Sequence, residues 1–296
     1  MASDSIRPVL GVGEVLWDNF PEGRQLGGAP GNFVHHVQQQ GLRATLVSSV
    51  GQDPEGDDLI AALQERGLDT SLIQRRAKPT GRVNVELDDS GKPTYDIAKP
   101  AAWDHIYLGE ETMEAARSAG CLCFGSLGQR TPNGRATVVT MLEAMPADGL
   151  RVFDVNLRPP WVVEAAIKEC LLLTNVFKLS DDELQDVAMM LDLPSEQAKF
   201  CDAVIERFDL KLLILTRGGE GSILQTPDDR SEHGGVEVEV VSTVGAGDSF
   251  TAGVVAGWQA GMKLEDLHDH ATRLSGFVCT QAGAMPELPD EFVLRS

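Results

Sequence analysis

Six short apolar runs recur along the chain, and segments in which apolar residues follow helical spacing separate several of them. The runs cover residues 9–12, 45–50, 121–125, 151–155, 175–179 and 212–216. The helical segments cover residues 57–66, 135–145, 161–173 and 197–208. Strands that alternate with helices pair in parallel, because each helix carries the chain back to the same end of the sheet. The pattern therefore predicts an α/β protein, a three-layer α/β/α sandwich with a mostly parallel central sheet.

One region departs from this alternation and predicts a hairpin. Residues 82–87 alternate polar and apolar side chains, residues 88–91 form the turn sequence DDSG, and the chain returns through residues 94–98. Strict alternation of this kind is typical of a strand pair that has one face toward water.

A second extended segment accompanies the hairpin. Residues 17–28 are rich in turn-forming residues, and with the hairpin they predict a small antiparallel β lid over one end of the sheet. No internal repeat or low-complexity linker divides the chain. We expect a single domain over residues 1–296, with the lid inserted at about 15–28 and 80–106. Because an apolar hairpin face usually needs a partner, we also expect a homodimer through the lid.

Charge and cysteine usage restrict the class of protein. The chain has 296 residues, 42% of them hydrophobic, and a net charge of −20, which argues against nucleic acid or an anionic membrane as partner. No run approaches the ~18 apolar residues that span a bilayer, and the first residues do not form a signal peptide. Five cysteines favour a reducing compartment. We therefore expect a cytoplasmic protein, with Cys121 and Cys123 as buried structural thiols rather than metal ligands.

The sequence STVGAGDSF at residues 242–250 is the strongest functional signal. It follows a strand-like run at 236–241 and precedes a helix predicted over 249–261. Small residues at the start of a helix let a ligand approach the free N–H groups, which favour an anion. The small residues in question are Gly245, Ala246 and Gly247.

Asp248 places a carboxylate in that same anion site, which would weaken simple anion binding. A carboxylate there is useful if it takes a proton from a nucleophile, so the motif indicates phosphoryl transfer onto a hydroxyl. An ordinary helix start with an acidic first turn is the alternative interpretation.

Polar residues follow several of the predicted strands, and ligands of open parallel sheets bind beyond the carboxyl ends of strands. They are Asp18, Asp154, Asn156, Arg158 and the run Thr216-Arg217-Gly218-Gly219. Each alone is equally compatible with a cap or a turn. Their convergence on one edge of the sheet favours a binding site.

Other motifs point away from alternative functions. Gly11-Val12-Gly13 lacks the third glycine of a dinucleotide fingerprint, and no G-x-x-x-x-G-K-[ST] sequence occurs. His35 and His36 lie on a predicted helix, where neighbours point about 100° apart and cannot easily share a metal. We interpret these histidines as surface residues or as supports behind a site.

Two signatures resemble those of the PfkB/ribokinase family of sugar kinases. They are Gly27-Gly28-Ala29-Pro30-Gly31-Asn32 and Thr243-Val244-Gly245-Ala246-Gly247-Asp248-Ser249-Phe250. Segments 11–18, 80–81, 154–158, 178–183 and 215–221 are similar to the family in the same order. Segments 13–18, 28–30, 100–104 and 125–130 look most like bacterial fructokinases. The resemblance covers nearly the whole chain and implies a ribokinase-like fold.

The resemblance also implies roles for individual residues. Asp248 would be the catalytic base, and Gly245, Ala246 and Gly247 would form the anion hole. The implied sugar contacts are Asp18, Gly28, Asn32 and Arg158, in addition to Asp248. The implied ATP contacts are Lys178, Thr216, Gly218, Gly221 and Gly247. Glu183 would organise Mg²⁺ through water, since this ion keeps most of its hydration shell.

Two positions depart from the family pattern. Ser242 stands where the late signature usually opens with Asp, which puts a K⁺ site in doubt. Ser180 stands where the Mg²⁺-linked motif usually opens with Asn, which weakens that assignment.

The sequence therefore predicts an ATP-dependent sugar kinase, with D-fructose as substrate and fructose 6-phosphate as product. A kinase for another sugar, a sugar acid or a nucleoside remains an alternative, as does a non-catalytic sugar sensor. The intact Asp248 and its three small neighbours argue against a sensor with a decayed site.

Overall fold

A large sheet with helices on both faces forms the body of the protein. The computed structural model describes residues 6–20, 23–87 and 93–294. Its strands are β1 (Val9–Val12), β2 (Leu16–Phe20), β3 (Gly23–Gly27), β4 (Ala44–Gly51), β5 (Ile73–Arg76), β6 (Gly81–Leu87), β7 (Pro93–Ile97), β8 (Cys121–Gly125), β9 (Leu150–Asp154), β10 (Val176–Ser180), β11 (Leu212–Thr216), β12 (Ser222–Gln225) and β13 (Arg230–His233). Its α-helices are α1 (Ala29–Gln39), α2 (Pro54–Glu65), α3 (Glu110–Ser118), α4 (Pro132–Ala144), α5 (Glu164–Leu171), α6 (Asp181–Leu191), α7 (Gln197–Phe208), α8 (Ala246–Gln259) and α9 (Leu264–Cys279).

The large sheet has the strand order β13-β12-β11-β10-β9-β8-β1-β4-β5. Pairing is parallel from β11 to β5, and β12 and β13 add an antiparallel edge. The predicted mostly parallel sheet is thus confirmed. Because its strands run the same way, the carboxyl ends of β1, β8, β9, β10 and β11 meet at one edge, where a ligand can reach them.

Two apolar layers enclose the sheet, as the three-layer prediction requires. One layer contains Phe33, Leu63 and Val254, and it packs α1, α2, α8 and α9 against one face. The other contains Met141 and Phe200 and packs α3 to α7 against the opposite face. Burying each side chain of this size contributes about 1.5–3 kcal/mol, so the packing fixes the positions of the helices over the sheet.

A smaller sheet of order β3-β2-β6-β7 lies over one end of the large one. The pairs β2/β3 and β6/β7 are antiparallel, and β2 joins β6 in parallel between them. Leu16, Val83 and Ile97 pack from this lid onto Trp103 and Leu127. The predicted small β lid is therefore present, whereas its turn at residues 88–91 lies outside the described residues. The homodimer through the lid stays a prediction.

Two details of the sequence interpretation are wrong. Residues 236–241 form no strand, because β13 ends at His233 and no strand among the described residues pairs with the segment that follows. The interpretation of His35 and His36 as surface residues is wrong, because both are buried where α1 is enclosed by the sheet, α8 and the C-terminal segment; their interpretation as supports behind a site stays a prediction. The Nε2 atoms of His35 and His36 donate to the carbonyl oxygens of Pro286 and Ala284, each at 2.9 Å.

The structure also bears on membrane insertion. Among residues 6–20, 23–87 and 93–294, no helix has the length and apolar character needed to cross a membrane.

Candidate active site

A cavity of about 540 Å³ lies between the lid and the carboxyl edge of the large sheet. The lid supplies one wall, through Leu16, Phe20, Val83 and Ile97 among others. The structure brings most of the predicted catalytic and sugar-binding residues to it. Those lining it are Asp18, Gly28, Asn32, Arg158, Lys178, Gly245, Gly247 and Asp248. A cavity of this size, lined by both apolar and polar groups, suits a molecule with hydroxyl groups.

The N-terminus of α8 forms one end of this cavity. Gly245 has φ 81, and a side chain there would bring its Cβ within 2.8 Å of the Ala284 Cβ. Only glycine fits this backbone conformation and this close approach without strain. The tight turn leaves the first N–H groups of α8 facing the ligand space, where the helix dipole favours an anion.

Asp248 lies in the first turn of α8 and is half-buried against α1. Its Oδ2 accepts a hydrogen bond from Asn32 Nδ2 at 2.7 Å. Burial raises the pKa of Asp248 above its ordinary value, while Asn32, Lys178 and Arg158 partly oppose this. A carboxylate with a raised pKa is a better proton acceptor, which is the property that a general base needs.

Lys178, in the middle of β10, lies beside the same helix start. Its Nζ is 3.1 Å from Asp154 Oδ1, and both side chains are buried. Burial alone would lower the pKa of Lys178, but the nearby carboxylates of Asp154 and Glu183 outweigh it and the pKa rises. A side chain at Gly247 would place its Cβ 3.3 Å from Nζ, so a fixed positive charge stands beside the anion site.

Asp18, on the lid strand β2, and Gly28 form the opposite wall. Burial raises the pKa of Asp18 to about 6, against the nearby charge of Arg158. Gly28 has φ 113, and a Cβ there would lie 2.5 Å from the Glu14 carbonyl oxygen. The Gly-Gly step before α1 therefore lets the chain turn sharply and keeps this wall open.

A second cavity of about 770 Å³ continues from the first across the N-terminus of α8. The predicted nucleotide contacts line it, namely Lys178, Thr216, Gly218, Gly221 and Gly247, together with Ala246. Val236, Val238 and Val240 add an apolar wall. The unpaired segment that we predicted as a strand is thus part of this cavity.

The two cavities share a narrow boundary. The shared residues are Asn156, Arg158, Lys178, Thr243 and Gly247. One glycine and two cations at a junction of two ligand spaces allow a group to pass between two bound molecules, with its negative charge compensated.

Glu183 lines the second cavity, but both of its carboxylate oxygens accept hydrogen bonds from the protein itself. Its Oε1 accepts from the Leu157 N–H at 2.6 Å, and its Oε2 accepts from the Ser180 N–H at 2.9 Å. The bond from the Ser180 N–H belongs to a capping box at the start of α6. Across the described part of the chain, no three His, Cys, Asp or Glu side chains are grouped to hold a metal ion.

Ser242 places a hydroxyl, and not a carboxylate, beside the anion site. Its Oγ accepts from the Val244 N–H at 3.2 Å, and the Cys279 carbonyl oxygen accepts from the N–H groups of Val241 and Ser242. The serine thus closes this turn with neutral hydrogen bonds.

Sequence reasoning missed Glu14 as a site residue. It follows β1, is only 4% exposed, and lines the first cavity. A signal was available, because Glu14 is the single charged residue in the otherwise apolar segment 9–17. A buried charge in such a segment indicates a functional position.

Comparison with known proteins agrees with the geometry. The model of the pfkB family carbohydrate kinases matches residues 14–291. A fructokinase of Salmonella typhimurium is 32% identical over 94% of this chain and 95% of its own length.

Solved structures show the same fold. The fructokinase of Xylella fastidiosa with bound ATP has a TM-score of 0.82 at 23% identity and covers 95% of both chains. A double mutant of the Vibrio cholerae O395 fructokinase, in a form with fructose, ADP and potassium ion, has a TM-score of 0.80 at 24% identity. That likeness covers 97% of this chain and 96% of the other. The ribokinase-like fold that we predicted is thereby confirmed.

Proposed function

Because the chain belongs to the pfkB family of carbohydrate kinases and therefore acts as a phosphotransferase on a sugar hydroxyl, we propose that it converts D-fructose and ATP to fructose 6-phosphate and ADP. The observation that carries the proposal is the junction of two cavities at the start of α8, with Asp248 on the sugar side. The 32% identity to a fructokinase supports fructose over other sugars.

Charge in the first cavity supports a neutral substrate. Glu14, Asp18 and Asp248 are carboxyl groups on its wall, whereas Arg158 and the Asp154-paired Lys178 are the cations near it. An anionic group bound deep beside three carboxyls would be repelled, since charges interact strongly in a partly dry site. A sugar is therefore a better fit than a sugar acid.

In the proposed reaction, the sugar lies under the lid, with its hydroxyls held by Asp18 and Asn32. Asp248 accepts the proton of the attacking hydroxyl as that oxygen bonds to the γ-phosphorus of ATP. The bond from phosphorus to the ADP oxygen breaks on the opposite side. Gly245, Ala246 and Gly247 present N–H groups to the transferring phosphoryl group, and Lys178 and Arg158 add positive charge. Thr216, Gly218 and Gly221 face the nucleotide.

The second cavity suits ATP with bound Mg²⁺. The second cavity has room for a nucleotide and an apolar wall for its base, and the Xylella fastidiosa fructokinase binds ATP. Mg²⁺ would neutralise phosphate charge when bound with the nucleotide. Both oxygens of Glu183 already accept protein hydrogen bonds, so we propose that Glu183 and Ser180 hold the ion through water.

A coupled assay of ADP release tests this proposal. Fructose, ribose, adenosine and 2-keto-3-deoxygluconate are compared with the wild-type protein, and Asp248→Asn serves as the matched control for contaminating kinases. We expect the highest kcat/KM with fructose. A preference for one of the other three substrates would replace fructose but keep a kinase, whereas no turnover on any substrate would favour a sugar sensor.

A further inference from the structure

Two buried acceptor atoms on the wall of the first cavity have no hydrogen-bond partner among the described residues. They are Glu14 Oε2 and Asn32 Oδ1. Leaving a buried acceptor unpaired costs about 1–3 kcal/mol, and such groups in a native protein call for an explanation. Both residues line the cavity in which we place the sugar. A ligand with two hydroxyl donors would satisfy both atoms.

The surrounding backbone holds Glu14 in this position. Gly13 has φ 144 directly before it, and the close approach of Gly28 to the Glu14 carbonyl oxygen fixes the chain on the other side. The N–H groups of Glu14 and Ala29 favour the ionised carboxylate, and Ala29 is the first residue of α1. The helix start thus holds one part of the carboxylate, while Oε2 remains free for another donor.

A purely structural role explains the location of Glu14 poorly. Burial raises the pKa of Glu14 to about 7, and Asp248 raises it further while Arg158 lowers it. A buried carboxylate without a paired cation destabilises a protein, and an apolar residue would fill the same space at lower cost. A buried polar group that destabilises the free protein in this way is typical of a binding site, where the ligand supplies the missing hydrogen bond.

We propose that Glu14 is a further sugar-binding residue, whose carboxylate accepts a hydrogen bond from one hydroxyl of the substrate. The neighbouring hydroxyl donates to Asn32 Oδ1, and Asn32 Nδ2 keeps its bond to Asp248. Glu14 and Asn32 thereby orient the sugar relative to Asp248. This inference rests on the proposed function, since it assigns a contact within the same sugar site.

The test combines variants of Glu14 with sugars that lack one hydroxyl. Glu14→Leu removes both oxygens at similar volume, and Glu14→Gln keeps the shape but removes the charge. Glu143→Leu is the matched control, because Glu143 lies exposed on α4 and forms no ion pair with the described residues. Each protein is assayed with fructose and with a series of monodeoxyfructoses, and KM for ATP is measured in parallel.

We expect Glu14→Leu to lower kcat/KM for fructose by about 10- to 100-fold, the effect of losing a hydrogen bond to a charged group. The loss should fall mainly on KM for the sugar, with KM for ATP unchanged. With one deoxyfructose, kcat/KM should be the same for Glu14→Leu and for the wild type, because the hydroxyl that pairs with Glu14 is already missing. Glu14→Gln should show a smaller loss with fructose, and again no further loss with the same deoxyfructose.

Equal losses with every deoxyfructose, or an unchanged KM for fructose, would overturn the role of Glu14. If Glu14→Leu does not fold, Glu14→Gln gives the same comparison. If the wild-type protein phosphorylates fructose and the variants match it, only this inference is refuted. A wild-type protein without sugar kinase activity refutes the proposed function first.

Discussion

Asn32 Nδ2 donates a hydrogen bond to Asp248 Oδ2 at 2.7 Å, and this contact joins the start of α1 to the start of α8. Asn32 comes from the early signature and Asp248 from the late one, more than two hundred residues apart. The bond fixes one oxygen of the carboxylate and leaves the other to face the cavity. A base held in this way needs no reorganisation before it accepts a proton.

We predict that Asp248→Asn lowers kcat by roughly 10²–10⁴-fold, the usual contribution of a general base. Asn has the same shape and can still bond to Asn32, so sugar and nucleotide binding should be largely retained. Turnover in the coupled assay and calorimetric titration of both ligands measure the two effects separately. Near-normal turnover with intact binding would remove Asp248 from the proposed mechanism.

The central sheet could be predicted from sequence because each buried strand is a short apolar run. The strand at residues 121–125 has the predicted bounds, and the strand at 175–179 is shifted by one residue. The segment 236–241 carries the same alternation of Val and Glu as a strand, yet its pairing depends on a neighbour that local sequence does not contain. Three of its four valines line a cavity instead.

The candidate site was predictable only in part, for a related reason. The small residues and Asp248 form a local motif, whereas the residues that surround Glu14 and His36 come from distant segments. His36 is fully buried because α1 is enclosed on several sides, and burial lowers the pKa of this histidine to about 3. Helical spacing predicts one buried face for α1, so two adjacent buried residues could not be anticipated.

The lid should become more protected when sugar binds. Leu16, Val83 and Ile97 reach from the lid to both the core and the first cavity, so a sugar adds contacts to the same face. We predict slower hydrogen exchange in β2, β6 and β7 on adding fructose, with β9 in the core as the internal control. Closure of this kind would exclude water from the phosphoryl group. Exchange rates unaltered in all three strands would argue against a mobile lid.

Potassium should activate the enzyme only weakly. Ser242 supplies no carboxylate, and its Oγ is used within the turn by the Val244 N–H. The family resemblance implies a cation site built from the backbone carbonyls of Ser242, Val244, Val278, Gln281 and Gly283, which do not depend on side-chain identity. A partly buried ion without a counter-charge is nevertheless poorly held.

The measurement compares turnover in potassium chloride and in choline chloride at equal ionic strength. We expect a rise below about tenfold for the wild-type protein, which corresponds to less than about 1.4 kcal/mol. Ser242→Asp restores a carboxylate at this position and should increase the response. A wild-type rise of tenfold or more would show that the serine has not disabled the site.

Glu14 should make the stability of the protein depend on pH in a defined direction. Burial raises the pKa of Glu14 from 4.5 to about 7, so the folded protein holds this proton more tightly than the unfolded chain does. Stability from this group is therefore fully present below pH 4.5 and is lost as the pH rises through about 7. The loss amounts to about 3 kcal/mol at most, because each pKa unit corresponds to 1.36 kcal/mol.

Glu14→Gln removes this titration while keeping the side-chain shape. Asp248 and Arg158 are the charged groups that act on Glu14, and they are present in both proteins, so their contributions to stability largely cancel in the difference. We predict that the free energy of urea unfolding, measured at intervals from pH 4.5 to 8, rises in the variant relative to the wild type as the pH increases. Glu143→Gln should show no such trend, since Glu143 is exposed to solvent. A difference between Glu14→Gln and wild type that stays constant with pH would mean that Glu14 titrates alike in the folded and unfolded protein, and would contradict the raised pKa.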